Sequence, residues 1–236
     1  IYTMKKIKFT IIVLLVLTMA FFATHCQHED SETIPVVGPD PIERGDQIIT
    51  CTDCNTVPAA SGVWYHDKAH SNVEWETQYK EFGSLLTGRF DSFFMTSLNF
   101  DEANPANIAF EGYVWLNSVN TSEPGRDDGC LLVSFGTENG LTDEAQNRAT
   151  LKTKAGTGRY STTDAGFLID ADITFVGITK PITVKMFFAP QYDIGTSYAA
   201  GFNSEFEIKK ADFLPNDTNI GDVIRIKINS LMKAKK

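Results

Sequence analysis

A chain of 236 residues, 42% hydrophobic and 22% charged, fits one globular core with extensions rather than two cores. Its net charge of -9 repels phosphate backbones, which excludes nucleic acid as a partner. No fixed-period self-similarity runs through it, which excludes solenoids and propellers.

In chain order, Met4-Lys5-Lys6 is followed by an uncharged apolar run from Ile11 to Ala23. The run is shorter than the ~20 apolar residues of a membrane span, so it reads as a secretory signal over residues 1–25. Cys26 stands where a lipoprotein signal peptidase cuts and a diacylglyceryl group is attached, although His25 replaces the small residue usual there. Acylation is the expectation and plain cleavage the alternative. The expected location is therefore the periplasm or outer membrane, with the membrane reached through an N-terminal lipid anchor.

Residues 26–61, with Pro35, Pro39, Pro41 and Pro58, read as a flexible linker. Within it lies Cys51-Thr52-Asp53-Cys54. Haem attachment fails at Asn55, where a His ligand is needed, and no second pair of ligands completes a zinc site. A local disulfide between Cys51 and Cys54 is the expectation in an exported protein.

Residues 62–236 carry two-residue alternation. Trp64 sits in a first short strand. Val73, Trp75 and Thr77 oppose Glu74, Glu76 and Gln78. Phe94, Thr96, Leu98 and Phe100 are expected on one face, against Met95, Ser97 and Asn99. Ile108 to Leu116 is apolar on both faces, which predicts cover on both. Asp143 to Arg148 has the makings of a short helix.

Leu168 to Thr174 and Ile182 to Phe188 form a hairpin with one wet face, its turn expected over Gly177 to Pro181. Phe202, Ser204, Phe206 and Ile208 share a face, as do Ile224, Ile226 and Ile228. About eight strands and almost no helix predict an all-β fold, a single antiparallel barrel whose interior is either packed or holds one elongated small ligand.

Several stretches together resemble the YceI-like family. They are the His-Ser of DKAHSNVEW, Gly88-Arg89-Phe90, LNFDEANP, Ser118 to Thr121 with Arg126-Asp127, ITFVGITKPITV and AGFNSEFEIKKADF, in family order. The resemblance implies a lipocalin-like barrel that binds polyisoprenoid lipids. Two departures stand out. Tyr79 lies near a position where the family often has His. Adjacent Phe93 and Phe94, with Thr96 in place of Gly, suggest a bulge.

Catalytic constellations are weak. His66 and His70 are four residues apart, about 13 Å in extended chain, so no metal is expected. Ser71 beside His70 is only a sequence neighbour. Asp170 and Asp172 share a strand face and read as solvated.

The apolar set differs, with 17 Phe in the chain. Trp75, Phe90, Phe94, Phe100, Phe110, Val114, Phe167, Ile173, Phe175, Phe188, Phe202 and Phe206 are the candidate lipid-binding residues. Arg89, Arg126 and Lys180 are head-group candidates, for a diphosphate or quinone. Three prenyl units would contribute on the order of 12 kcal/mol at roughly 0.8 per CH2.

The expected function is non-catalytic binding, sequestration or transport of an isoprenoid or related amphiphile, with no cofactor beyond a possible bound lipid or quinone. The alternatives are a solid-cored envelope interaction module, or a lipid or redox enzyme using Cys51 and Cys54.

Overall fold

A computed structural model describes residues 47–49, 64–80, 83–99, 104–136 and 146–236. The signal segment, Cys26, Cys51, Cys54, Phe100 and residues 143–145 of the expected helix lie outside the described residues. The strands are β1 (Gln47–Ile49), β2 (Trp64–His66), β3 (Asn72–Gln78), β4 (Leu85–Phe90), β5 (Phe93–Asn99), β6 (Ala109–Trp115) and β7 (Val119–Asn120). They continue with β8 (Arg148–Thr153), β9 (Arg159–Ser161), β10 (Gly166–Phe175), β11 (Ile178–Asp193), β12 (Ser197–Lys209) and β13 (Val223–Lys235). The number exceeds the expected eight because several strands are short, and β2 and β3 are one run broken by the turn Lys68–His70, both pairing with β13.

Every pairing is antiparallel, in the order β5-β6-β8-β10-β11-β12-β13-β3-β4-β7. β5 begins this order and β4 stands next to its other end, with only the two-residue β7 beyond it, yet only Asp91 and Ser92 separate β4 from β5 in the chain. The sheet must therefore curl until its two edges meet. Alternation then sends one side chain of each pair inward, which is how the period of two becomes a core.

Three local expectations need correction. The β10–β11 turn is Val176-Gly177, with φ of 46° and 76°, closed by the pair Phe175 and Ile178. Positive φ at both central residues gives a turn whose twist suits a hairpin, so pairing runs on through Asp172 and Pro181. Pro181 is tolerated because β12 joins β11 only from Lys185 onward, leaving its missing N–H without a ladder partner to lose.

Thr96 is the bulged residue, since Met95 opposes Gly112 and Ser97 opposes Glu111. That bulge shifts the phase, so Phe93, Met95 and Leu98 point inward. Phe94 instead faces outward and stacks on Tyr113 at 4.9 Å. With Trp115 and the Arg148 guanidinium, 4.3 Å from the Tyr113 ring, it covers the second apolar face of β6.

The third correction concerns helix. A helical segment forms at Pro124–Arg126, Asp127–Leu131 (a π-helical turn) and Leu132–Phe135, in a stretch whose glycines hide any period. Pro124 starts it and Gly136, at φ 70°, ends it in the left-handed conformation. A short α-turn, Lys210–Phe213, follows β12.

Candidate functional site

The interior divides lengthwise. Away from the helical segment the core is solid, with Met95, Leu98, Ile108, Ile169, Val184, Met186 and Phe202 no more than 2% exposed. Toward the helical segment it leaves a cavity of about 90 Å³. Trp75, Phe90, Phe93, Phe110, Phe175, Phe206 and isoleucines of β13 line it, together with Leu131 and Phe135 of the helical segment. None of its lining residues is charged.

Glycine makes room for the largest wall. Gly88 opposes Trp75 across β3 and β4, and a Cβ there would sit 2.5 Å from the indole. Trp75 Nε1 has no hydrogen-bond partner in the protein. The roof is aromatic: Phe175 meets Phe135 edge-on at 5.4 Å and Phe213 at 5.7 Å.

Three attachments hold the helical segment over this end. The Thr121 amide and hydroxyl donate to Asp127, the amide at 3.1 Å. Burial raises the Asp127 pKa, against the pull of those hydrogen bonds. The Ser134 hydroxyl donates to Asp217. Cys130 is disulfide-bonded, and every other cysteine of the chain lies outside the described residues.

Outside the roof runs a groove of about 350 Å³ bordered by Tyr79, Leu85, Glu123, Arg126, Cys130 and Asp217. It shares Leu131 and Ile220 with the inner cavity, so the two are separated by little more than those side chains. Leu85 is 62% exposed there.

At the other end of β13, His66 is fully buried, edge-on to Phe93 at 4.8 Å. Burial, helped by the Lys68 charge and opposed by Asp67, lowers its pKa to about 4. Asp67 is shifted down: burial is the strongest single influence and acts upward, but hydrogen bonds from Lys233 and His70 together outweigh it. The turn Lys68–His70 leaves His70 exposed and bonded to Asp67 at 2.8 Å, while His66 faces inward. Among the described residues no group of three His, Cys, Asp or Glu could hold a metal ion.

The model of the YceI-like domain matches residues 64–231. The chain belongs to the YceI-like family. A UPF0312 protein of Pseudomonas aeruginosa is 30% identical over 149 residues, covering 62% of this chain and 73% of that protein. A UPF0312 protein of Vibrio campbellii is 27% identical over 146 residues, 61% and 72% of the two chains.

Among solved structures, Burkholderia cenocepacia BcnA superposes with a TM-score of 0.55 at 18% identity, covering 70% of this chain and 98% of its own. The YceI protein of Campylobacter jejuni gives 0.52 at 20%, covering 65% and 87%. These likenesses show the fold, an antiparallel barrel of the YceI-like type.

Within this YceI-like barrel, Trp75, Phe90, Phe110, Val114, Ile173, Phe175 and Phe206 meet at the cavity. Phe202 is buried between Phe110 and Phe188, ring centroids 5.4 and 6.5 Å away. Phe167 and Phe188 pack together at the far end, 5.3 Å apart. Phe94 is outside the barrel, for the reason of phase given above.

The three cations are not gathered. Arg89 is outward and paired with Asp91 at 2.8 Å, Lys180 pairs with Asp212 at 3.6 Å, and only Arg126 borders the groove. Sequence reasoning missed Leu131, Phe135 and Leu214, which reach the cavity from outside the strands and carry no alternation to mark them.

Proposed function

We propose that this YceI-like chain holds the hydrocarbon part of an isoprenoid or related amphiphile inside the barrel, without transforming it. The observation that carries this reading is the cavity itself, lined by aromatic and branched side chains with no charge among them. The ligand class comes from the family resemblance.

At about 90 Å³ the cavity is smaller than the ~150 Å³ of an engineered cavity that admits benzene. Uptake of a prenyl chain therefore requires the wall to yield. The roof is where it yields, because Leu131 and Phe135 belong to a segment held by a few attachments, whereas the other walls are ladder-bonded strands. Groove, roof and cavity then form one entry path.

Organic extraction of protein purified from its native host, followed by mass spectrometry, tests the reading. An isoprenoid or similar amphiphile in stoichiometric amount is expected, and an empty extract overturns it. The small resting volume favours a second reading, a barrel whose end groove binds protein. Its mark is a partner whose capture survives bulky substitution at Phe175.

The same proposal places the protein in the bacterial envelope, exported and anchored through Cys26. Cys130 constrains that picture. If Cys26 carries lipid through its sulfur, the partner of Cys130 within the chain is Cys51 or Cys54, and those two are then not bonded to each other. Peptide mapping without reduction is expected to find Cys130 joined to one of them. A Cys26–Cys130 peptide overturns the anchor.

A further inference from the structure

Among the described residues, eight large apolar side chains are exposed, by 37% to 62%, and they lie at the two ends of the barrel. Tyr160, Tyr192 and Ile194 stand at the end away from the roof, since Tyr160 opposes Phe167 near the start of β10 and the other two flank the β11–β12 turn. The remaining five, Tyr79, Leu85, Val133, Ile178 and Val223, gather at the roof end.

Four strand ends and the helical segment bring those five to one rim. Tyr79 bridges Ile220 just past β3, and Leu85 opens β4 opposite Gln78. Val223 opens β13 opposite Lys209. Ile178 opens β11 opposite Phe175, whose ring meets Phe135 and Phe213 of the roof. Val133 belongs to the roof itself, between the buried Leu132 and Ser134, which bonds Asp217. The rim therefore borders the entry path: Tyr79 and Leu85 line the groove, and Ile178 lies beside a wall of the cavity.

The charges at the rim decide what it can rest on. Lys180 pairs with Asp212 at 3.6 Å and Lys210 with Asp222 at 3.4 Å. Arg126 shares the groove with Glu123 and Asp217, and the Lys80 ammonium stands 5.4 Å from the Tyr79 ring. Among the described residues, cations and carboxylates are thus interleaved there, without the one-sided basic patch that draws a protein to anionic lipid. Tyrosine beside lysine on an apolar rim suits the boundary between headgroups and acyl chains, where ring or stem is buried and the polar tip stays wet. A prenyl hydrocarbon resides in bilayers rather than in water, so a protein that takes one up must meet a bilayer with its entry path.

We propose that the roof end is a docking face for a zwitterionic lipid bilayer, on which Tyr79, Leu85, Val133, Ile178 and Val223 enter the headgroup boundary and bring the groove against the acyl chains. The proposal rests on the hydrocarbon-binding reading and adds where the hydrocarbon is collected. Docking is reversible, because five side chains bury far less than a spanning segment.

Cosedimentation with phosphatidylcholine vesicles tests it, using the full mature chain produced without an acyl group on Cys26, so that the rim alone can bind. The rim variant combines Val133→Gln, Ile178→Thr and Val223→Thr, three positions that line neither the cavity nor the groove. The control alters the opposite end, with Tyr160→Thr, Tyr192→Thr and Ile194→Thr. Wild type and control are expected to bind alike, and the rim variant roughly tenfold or more weakly. Val133→Gln alone repeats the test with the least change to the strands and is expected to weaken binding about twofold. Raising the salt concentration is expected to leave wild-type binding unchanged, and adding phosphatidylglycerol is expected not to strengthen it.

Several outcomes overturn the proposal. They are wild type that ignores phosphatidylcholine vesicles, binding that requires phosphatidylglycerol, or a loss in the control as large as in the rim variant. Organic extraction separates this proposal from the reading beneath it. An isoprenoid in the extract of a chain that ignores the vesicles overturns the docking alone, whereas an empty extract overturns the hydrocarbon-binding reading and the docking with it.

Discussion

The two halves of the barrel use the same alternation and the same residue types, yet one is solid and the other hollow. In the solid half, strands face strands, and Ile169, Met186 and Phe202 pack together at no more than 1% exposure. In the hollow half the facing surface is a helical segment, and small residues such as Gly88 and Gly112 stand among the large ones. Apolar composition alone therefore does not decide whether a β-barrel is a core or a container. What differs between the halves is whether the inward side chains meet facing strands or a helical segment.

The largest expected difference between the halves is mechanical. Phe202→Ala should cost about 3–5 kcal/mol in urea unfolding, because its neighbours are fixed strands that cannot collapse into the gap. Phe175→Ala borders an existing void and should cost clearly less, while admitting bulkier hydrocarbon probes. Equal losses would mean that the hollow half is not hollow in solution.

Next comes pH, through the window in which His66 titrates. His66 titrates near 6.5 when unfolded and at about 4 when folded, so the fold binds fewer protons than the unfolded chain between those values. Its contribution is complete above pH ~6.5 and is lost as pH falls through that window, with about 2 kcal/mol gone by pH 5. In His66→Leu this slope should vanish. The same loss in the variant would assign it to other groups.

A smaller effect is expected from Gly88→Ala. The new methyl would meet the Trp75 indole at 2.5 Å, but the indole can lean into the adjoining void. Roughly 1–2 kcal/mol should be lost, the lower part of the usual overpacking range, together with part of the space for ligand. Smallest of all, Arg225→Gln removes an outer-face cluster with Glu76 and Glu207 and should shift stability by less than ~1 kcal/mol.

The regular strands are legible in the sequence in both halves. β3 was read over its full length from Asn72 to Gln78, and the inward faces of β12 and β13 followed directly from their period. Alternation fails where the backbone adds a residue, as at Thr96, and there Phe94 was assigned to the wrong side. The helical roof was hidden because Gly125 and Gly129 interrupt a segment that also contains a π-helical turn.

Phe90 and Phe93 lie at the two sides of the seam where the sheet closes. Because two residues carry the chain from one margin of the sheet to the other, the structure is a hoop fastened by its own thread. Widening the hoop to swallow cargo would tear that fastening, so its girth is fixed and expansion is diverted to the open rim. Lengthening the fastening by a few glycines between Asp91 and Ser92 should let the girth relax, trading selectivity for capacity and baring sticky strand margins to neighbouring molecules.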